Sequence, residues 1–103
     1  MLSARPAAAE RPRKTENPSV SVLCLSLRAA GEIGVLARVV QQLARRSLLP
    51  LRWHCTESGE HLLMDIQIAG LGEAEGGLLA ESLRQIVGIE EVLTARLTRQ
   101  RAA

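Results

Sequence analysis

The chain passes from a strand to a helix through the sequence Gly31-Glu32-Ile33-Gly34-Val35-Leu36-Ala37-Arg38-Val39-Val40. Residues 20–27 before it form an apolar run typical of a strand, and the helical pattern continues to about residue 46. A strand, a glycine-bearing turn and a helix start bring free backbone N–H groups and the positive end of a helix dipole to one spot. That spot can hold a small carboxylate such as that of an amino acid, or it can be turn chemistry alone.

Working outward from this turn, the sequence predicts four strands and two helices. The first strand, 19–28, is apolar on both faces, which is typical of a central strand. The second strand, 49–57, contains Pro50, which cannot donate to a ladder, so we predict an edge strand. The other predicted elements are a helix at 33–46, a hairpin turn at 57–60, a strand at 62–69, a helix at 73–87 that stops at Gly88, and a strand at 91–98.

Each predicted helix carries an apolar stripe at helical spacing, which indicates the face that it buries. The first stripe consists of Val35, Leu36, Val39, Val40 and Leu43, and the second of Leu79, Leu83, Ile86 and Val87.

The order of these elements, β-α-β-β-α-β, predicts an α+β fold of the ferredoxin-like type, with a four-stranded antiparallel sheet and both helices on one face. In that arrangement the third strand lies between the first and the second. Cys24 and Cys55 would then be about 9–10 Å apart, too far for a disulfide. We therefore expect both cysteines to be buried as small hydrophobic side chains, in a protein of a reducing compartment.

Length and charge divide the chain into one domain and two ends. The 103 residues, 47% of them hydrophobic, can build one core, which we place at 19–98. Residues 1–18 carry the whole net charge of +2 and are predicted to be a disordered basic arm, with a frayed tail at 99–103. No apolar run approaches the roughly 20 residues that span a bilayer. The arm also lacks the uninterrupted apolar region of a secretory signal. We therefore expect a cytoplasmic protein without a membrane partner.

Several function classes are disfavoured by the same composition. Residues 19–103 hold nine basic and nine acidic groups, so they offer no broad basic face to nucleic acid, and one Trp without Phe or Tyr leaves little for base stacking. The first loop has no CxxC for a metal. We expect no catalytic residues, because the candidates do not supply a nucleophile, a base and an orienting group together. Those candidates are Ser26, His54, His61 and Asp65.

The turn at Gly31–Val39, followed by Leu43-Ala44-Arg45-Arg46, resembles the start of an ACT domain. That family usually shows an acidic residue, then Gly-Val-Leu, and a helix that ends near a basic residue. The resemblance covers roughly residues 19–98. Within the family the chain is most similar to the short regulatory small subunit of acetolactate synthase, also called acetohydroxyacid synthase. The closer likeness rests on Arg45-Arg46-Ser47 and on Gln85-Ile86-Val87-Gly88-Ile89-Glu90-Glu91-Val92.

The resemblance implies a regulatory subunit of branched-chain amino acid biosynthesis, without a cofactor or a metal of its own. Such subunits pair their ACT domains side by side, and they bind and activate the large catalytic subunit, which carries thiamine diphosphate. The effector, valine in many members, binds between the first loop of one domain and the second strand of the other. The matching positions here are Gly31, Glu32, Ile33, Gly34, Val35, Leu48, Leu49 and Pro50.

The chain departs from the valine-binding members at two of these positions. Those members have asparagines that align with Gly31 and Leu49, and neither residue has a side-chain donor or acceptor. Each hydrogen bond lost to a charged group weakens binding by about 1.5–3 kcal/mol. Gly31 and Gly34 can still offer backbone N–H groups and Glu32 can meet an ammonium. We therefore expect weak or no valine feedback.

Two functional hypotheses remain open, and both involve self-association. The first is a non-catalytic subunit that activates acetolactate synthase, and the second is a free-standing ACT module that binds a small amino acid. A homodimer is expected in either case, because Val20, Val22 and Cys24 form an apolar sheet surface beside an open edge strand.

Overall fold

The structure, a computed structural model, describes residues 19–100 and the side chains of residues 20–98. The arm predicted at 1–18 and residues 101–103 of the predicted tail lie outside this range. The elements are β1 (Ser19–Ala30), α1 (Ile33–Arg45), β2 (Arg52–Ser58), β3 (His61–Ala69), α2 (Glu73–Arg84) and β4 (Ile89–Gln100).

The four strands form one antiparallel sheet in the order β2-β3-β1-β4. This topology, with two helices in the crossovers, confirms the predicted ferredoxin-like fold. β1 is central as predicted, while β2 and β4 lie at the edges. β3 separates the two cysteines, and both Cys24 and Cys55 are free thiols, in agreement with the sequence prediction.

The core lies between one face of the sheet and the two helices. β1 contributes alternate leucines, which pack against alternate residues of β3 and the inner stripes of α1 and α2. Burial of each such side chain stabilises the fold by about 1.5–3 kcal/mol. The most deeply buried members are Leu25, Val35, Val39, Met64, Ile66, Ile68, Leu79 and Leu83.

β2 begins three residues later than predicted, at Arg52. After α1 the backbone turns at Ser47, which has a positive φ of 54°, and the Leu48 N–H donates to the carbonyl of Leu43 at 2.9 Å. Residues 48–51 then carry the chain back to the sheet edge. Pro50 therefore precedes the edge strand instead of lying in it, although the prediction of an edge was right.

α2 ends at Arg84 and not at residue 87, and β4 begins two residues early at Ile89. Val87, which was expected in the buried stripe, is 83% exposed because the chain reverses at Gly88, whose φ is +103°. β4 also continues to Gln100, which pairs with Ser19. Residues 99 and 100 therefore belong to the strand and not to a frayed tail.

Three further burial predictions were wrong. Val40 on α1 is 47% exposed, and Cys55 is exposed on the edge strand while Cys24 is only half-buried. Val22, in register between Ala69 and Leu97, is fully buried, so it is not part of an exposed apolar surface. The large apolar side chains that are exposed on this outer sheet face are Leu63, Leu93 and Leu97.

Neither helix within residues 19–100 combines the length and apolarity needed to cross a membrane. In the same range, no group of three or more His, Cys, Asp or Glu side chains is arranged to hold a metal ion.

Candidate functional site

The loop between β1 and α1 presents unpaired backbone donors to solvent. Glu32 is the N-cap of α1, with extended backbone angles and no side-chain hydrogen bond to the helix. Its carbonyl accepts from the N–H groups of Val35 and Leu36 at 3.1 and 3.4 Å. The N–H groups of Ile33 and Gly34 come earlier in the first turn and have no carbonyl partner within a helix. The loop thus has the polarity of an anion site.

Gly31 has a structural role that the sequence alone does not reveal. Its N–H donates to the carbonyl of Glu60 in the β2–β3 turn at 2.9 Å. A β-carbon on residue 31 would lie 2.9 Å from that oxygen, closer than real side chains come. The expectation that Gly31 offers a free N–H to a ligand was therefore wrong, because the hairpin already uses this donor.

Gly34, in contrast, has no packing reason to be glycine within the described chain. It lies in the first turn of α1, is exposed, and a β-carbon built on it meets no atom within 4 Å. Glycine at a helical position is about 0.5–1 kcal/mol less stable than alanine. Of the two glycines, Gly34 is the one with both a free N–H and open space around it.

The other residues of the first loop divide between core and surface. Val35 is 1% exposed and belongs to the core, so it cannot line an open pocket. Ile33 is 80% exposed and Glu32 is also exposed. The accessible part of the predicted first half-site is therefore Glu32, Ile33 and Gly34.

The second predicted half-site, Leu48–Pro50, lies at the other end of α1. Leu48 is half-buried against the core and its N–H is held by Leu43. Leu49 is 88% exposed, and Pro50 is half-buried. Because the thirteen-residue helix α1 is about 20 Å long, this segment and the first loop do not form one pocket within a single copy.

The two segments that carried the family resemblance contact each other. The Ala30 N–H, at the end of β1, donates to the Gly88 carbonyl at 2.7 Å. A β-carbon on Gly88 would approach Cγ2 of Val35 to 2.5 Å. Gly88 is thus needed for packing against the first turn of α1, which explains why the two segments together predict the fold well.

The polar residues considered for catalysis lie on the outer face of the sheet. Ser26 Oγ donates to Asp65 Oδ1 at 3.1 Å, and His54 is opposite Asp65 in the β2–β3 register. Together with Arg52 they border a shallow depression of about 250 Å³. His61 lies further along and its Nδ1 is 3.1 Å from Glu90 Oε1. The serine is therefore bonded to a carboxylate and not to a histidine.

A larger cleft of about 530 Å³, which the sequence did not predict, runs between α2 and the edge strand β4. Small residues of α2 form one wall, and Glu73, Glu81, Arg84 and Arg96 border it. The sequence signal was the pair Gly76-Gly77 within a helical pattern. Only Gly76 is explained by packing, because a β-carbon there would lie 2.9 Å from Arg96 Nη2 and 3.2 Å from Leu23 Cδ2.

Comparison with known proteins identifies structural neighbours. No protein-family model and no curated protein matches the chain. Among solved structures, it is similar to the ACT domain of GTP pyrophosphokinase from Chlorobium tepidum, with a TM-score of 0.66 and 9% identity over 74% of this chain and 99% of that one. It is also similar to the C-terminal domain of the MgtC protein from Mycobacterium tuberculosis, with a TM-score of 0.62 and 14% identity over 88% and 100% of the two chains.

A third neighbour is an uncharacterized protein from Thermotoga maritima, with a TM-score of 0.62 and 17% identity over 78% of this chain and 99% of that one. At these identities the likeness shows the fold alone. The chain has the ferredoxin-like βαββαβ fold that is also found in the ACT domain of the Chlorobium enzyme.

Proposed function

We propose that this chain is a non-catalytic, cytoplasmic regulatory subunit that works as a homodimer, with a small amino acid held between the first loop of one copy and the start of β2 of the other. One observation carries this proposal. The two accessible half-sites, around Ile33 and Leu49, are the exposed ends of a single edge of the domain, and they are far apart within one copy.

When two copies pair along their β2 edges about a two-fold axis, the half-site around Leu49 of one copy meets the half-site around Ile33 of the other. β2 begins beside Leu49 and ends at the turn whose Glu60 carbonyl holds Gly31. In an antiparallel pair, the start of one β2 lies beside the end of the other. The segment 48–50 of one copy then approaches the first loop of the second copy, and the symmetry produces two equivalent sites.

The chemistry of the proposed site suits a zwitterion with an apolar side chain. The N–H groups of Ile33 and Gly34 face the carboxylate, and the carboxylate of Glu32 faces the ammonium. The exposed side chains of Ile33 and Leu49 cover the apolar part. Since positions 31 and 49 lack polar side chains and the Gly31 N–H is already bonded to Glu60, fewer hydrogen bonds remain for the ligand. Each missing hydrogen bond weakens binding of the ligand by about 1.5–3 kcal/mol, so valine feedback is weak or absent.

The specific partner in this proposal is the large subunit of acetolactate synthase, which supplies the thiamine diphosphate. This part rests on the resemblance of residues 31–39 and 85–92 to the small subunits of that enzyme. In this chain Val35 and Gly88 of these two segments pack against each other, so the resemblance supports the fold more strongly than the partner. A free-standing module that senses an amino acid is the second candidate.

The β2 pairing is tested by a proline that blocks only the free edge. The Gly70 N–H donates to the Ser21 carbonyl, so even-numbered residues of β3 bond to β1 and odd-numbered residues bond to β2. In the β2–β3 register the odd-numbered residues of β2, including Cys55, therefore direct their N–H groups outward. Cys55→Pro should lower the oligomeric state seen by sedimentation velocity, while Cys55→Ser leaves it unchanged. An oligomeric state that the proline does not change would contradict the β2 pairing.

Function is tested by mixing the full chain with an acetolactate synthase large subunit and measuring turnover, alongside a thermal-shift panel of the twenty amino acids. Increased turnover that is lost in Cys55→Pro supports the proposed subunit. A ligand-induced shift without activation supports the free-standing sensor. If the large subunit is neither bound nor activated at micromolar concentrations, the proposed partner is wrong.

A further inference from the structure

The second edge of the sheet, β4, is long and exposes two leucines. It spans twelve residues, and within residues 19–100 its only strand neighbour is β1. Leu93 and Leu97 on its outer sheet face are 56% and 44% exposed. Residues 89–100 contain no proline, and the only irregularity in its pairing lies near Ile89. An exposed edge of this length is a template for another strand.

The hydrogen-bonding direction of β4 follows from two contacts. Arg84 Nη2 donates to the Val92 carbonyl at 3.1 Å, so that carbonyl points away from β1. The bond between Ser21 and Gly70 gives the same result. It shows that odd-numbered residues of β1 bond to β3, so the even-numbered residues of β1 bond to β4. Val92, Thr94, Arg96 and Thr98 therefore direct their backbone groups outward, while Leu93, Ala95 and Leu97 bond to β1.

We propose that β4 pairs with β4 of a second copy of this chain, antiparallel, about a two-fold axis at Ala95. This register pairs Thr94 with Arg96 and Val92 with Thr98 as hydrogen-bonded pairs, each occurring twice. On the outer face it pairs Leu93 with Leu97 of the second copy. The sequence also has opposite charges at the paired positions Glu91 and Arg99. The strand is thus complementary to itself.

The two neighbouring registers keep the same pattern of backbone hydrogen bonds, but their cross-strand side-chain pairs match less well. An axis at Thr94 places Leu93 opposite Ala95 and Glu91 opposite Leu97. An axis at Arg96 places two arginines directly opposite each other, which destabilises a pair. Of these three registers, only the axis at Ala95 pairs leucine with leucine and acid with base.

The cleft beside β4 supplies the space that this pairing needs. α2 faces the cleft with Gly76, Gly77 and Ala80, while the longer side chains of Glu73, Glu81 and Arg84 also border it. A β-carbon on Gly77 would meet nothing within 4 Å, and glycine in a helix lowers stability by about 1 kcal/mol relative to alanine. Nothing in the described chain requires this glycine, and the open space beside it leaves room for an approaching second copy.

This surface is separate from the β2 edge of the proposed function. Use of both edges extends the sheet beyond two copies, so the chain would form tetramers or larger assemblies. The pairing along β4 competes with one existing contact, because Arg84 already donates to the Val92 carbonyl. We therefore expect the central pairs around Ala95 to hold most tightly.

A cysteine at the axis tests the register in the full chain. Ala95 lies opposite itself in a non-hydrogen-bonded pair, whose Cα atoms are about 4.5 Å apart and within disulfide reach. Cys24 is in register with Ala95 and would compete, so the background is Cys24→Ala with Cys55→Ser. On mild oxidation, Ala95→Cys should give roughly tenfold more covalent dimer on a non-reducing gel than Leu93→Cys, whose equivalent is too far away.

Two further variants separate pairing from chance collision and from the β2 dimer. Thr94→Pro in the Ala95→Cys chain removes an outward N–H and should abolish cross-linking, while Thr94→Val retains it, with circular dichroism confirming that both fold. Cys55→Pro in place of Cys55→Ser should leave cross-linking unchanged even where it disrupts the β2 dimer. Equal yields from Ala95→Cys and Leu93→Cys, or no covalent dimer from either, would overturn the proposal.

Discussion

Gly88 lies directly against Val35, so that a β-carbon on residue 88 would come within 2.5 Å of Val35 Cγ2. The contact joins the loop after α2 to the first turn of α1, where the Ala30 N–H also bonds the Gly88 carbonyl. The backbone at Gly88 has a φ of +103°, which L side chains rarely adopt. One glycine thus fixes the end of the domain at which the first loop is built.

Replacement of Gly88 by alanine should destabilise the domain by about 3 kcal/mol, because backbone strain and the clash with Val35 add. Gly59→Ala is the matched control, since Gly59 also has a positive φ but open space around it, and it should cost about 1 kcal/mol. Urea unfolding followed by circular dichroism measures both values. Equal losses would show that the contact with Val35 has no energetic effect.

Gly31 and Gly34 should respond to alanine in opposite directions. Gly31→Ala forces the Glu60 carbonyl to move and should destabilise the fold by about 1–3 kcal/mol. Gly34→Ala fills open space at a helical position and should stabilise it by about 0.5–1 kcal/mol. For a domain of this size, 1 kcal/mol shifts the melting temperature by about 4–8 °C, so a thermal melt resolves the difference. A destabilised Gly34→Ala would contradict the assignment.

Arg96 should stabilise the start of α2 through its guanidinium. It donates to the carbonyls of Leu71 and Gly72, which precede the helix, and to Ser21 Oγ. Arg96→Gln removes these charge-assisted bonds and should lower the free energy of unfolding by about 1.5–3 kcal/mol. Arg38→Gln, at an exposed position of α1, should have little effect in the same denaturation experiment. A loss at Arg96 no larger than at Arg38 would show that these bonds are dispensable.

The fold was predictable because local and long-range signals agree along most of this chain. The alternation in β1 and β3 and the stripe of α1, apart from Val40, match the face that the structure buries. Errors arose where an apolar pattern continued past a backbone turn. Val87 extends the helical spacing of α2, but the reversal at Gly88 exposes it. Leu49 likewise continues the alternation of β2 before the strand begins.

The site was less predictable because the tasks of its glycines depend on distant partners. Gly31 and Gly34 look alike in sequence, yet only Gly31 approaches the hairpin carbonyl of Glu60. That contact depends on how β3 and its turn return beside β1, which local spacing does not specify. The cleft beside Gly77 was missed for the same reason, since it forms only where α2 passes the edge strand.

The two thiols should differ sharply in reactivity, against the expectation that both are buried. Cys55 is exposed on the edge strand, whereas Cys24 is half-buried in the central strand between Gln67 and Ala95. A chromogenic disulfide reagent should therefore show two phases, with Cys55 reacting roughly tenfold faster because accessibility limits thiol attack.

Cys55→Ser should remove the fast phase and Cys24→Ala the slow one. If copies pair along β2, the rate at Cys55 should also fall as the protein concentration rises, because the partner strand covers that edge, while the rate at Cys24 stays constant. A single phase in the wild-type chain would contradict the exposure difference. A fast phase independent of concentration would instead count against the β2 pairing, which makes the same experiment a check on the proposed dimer.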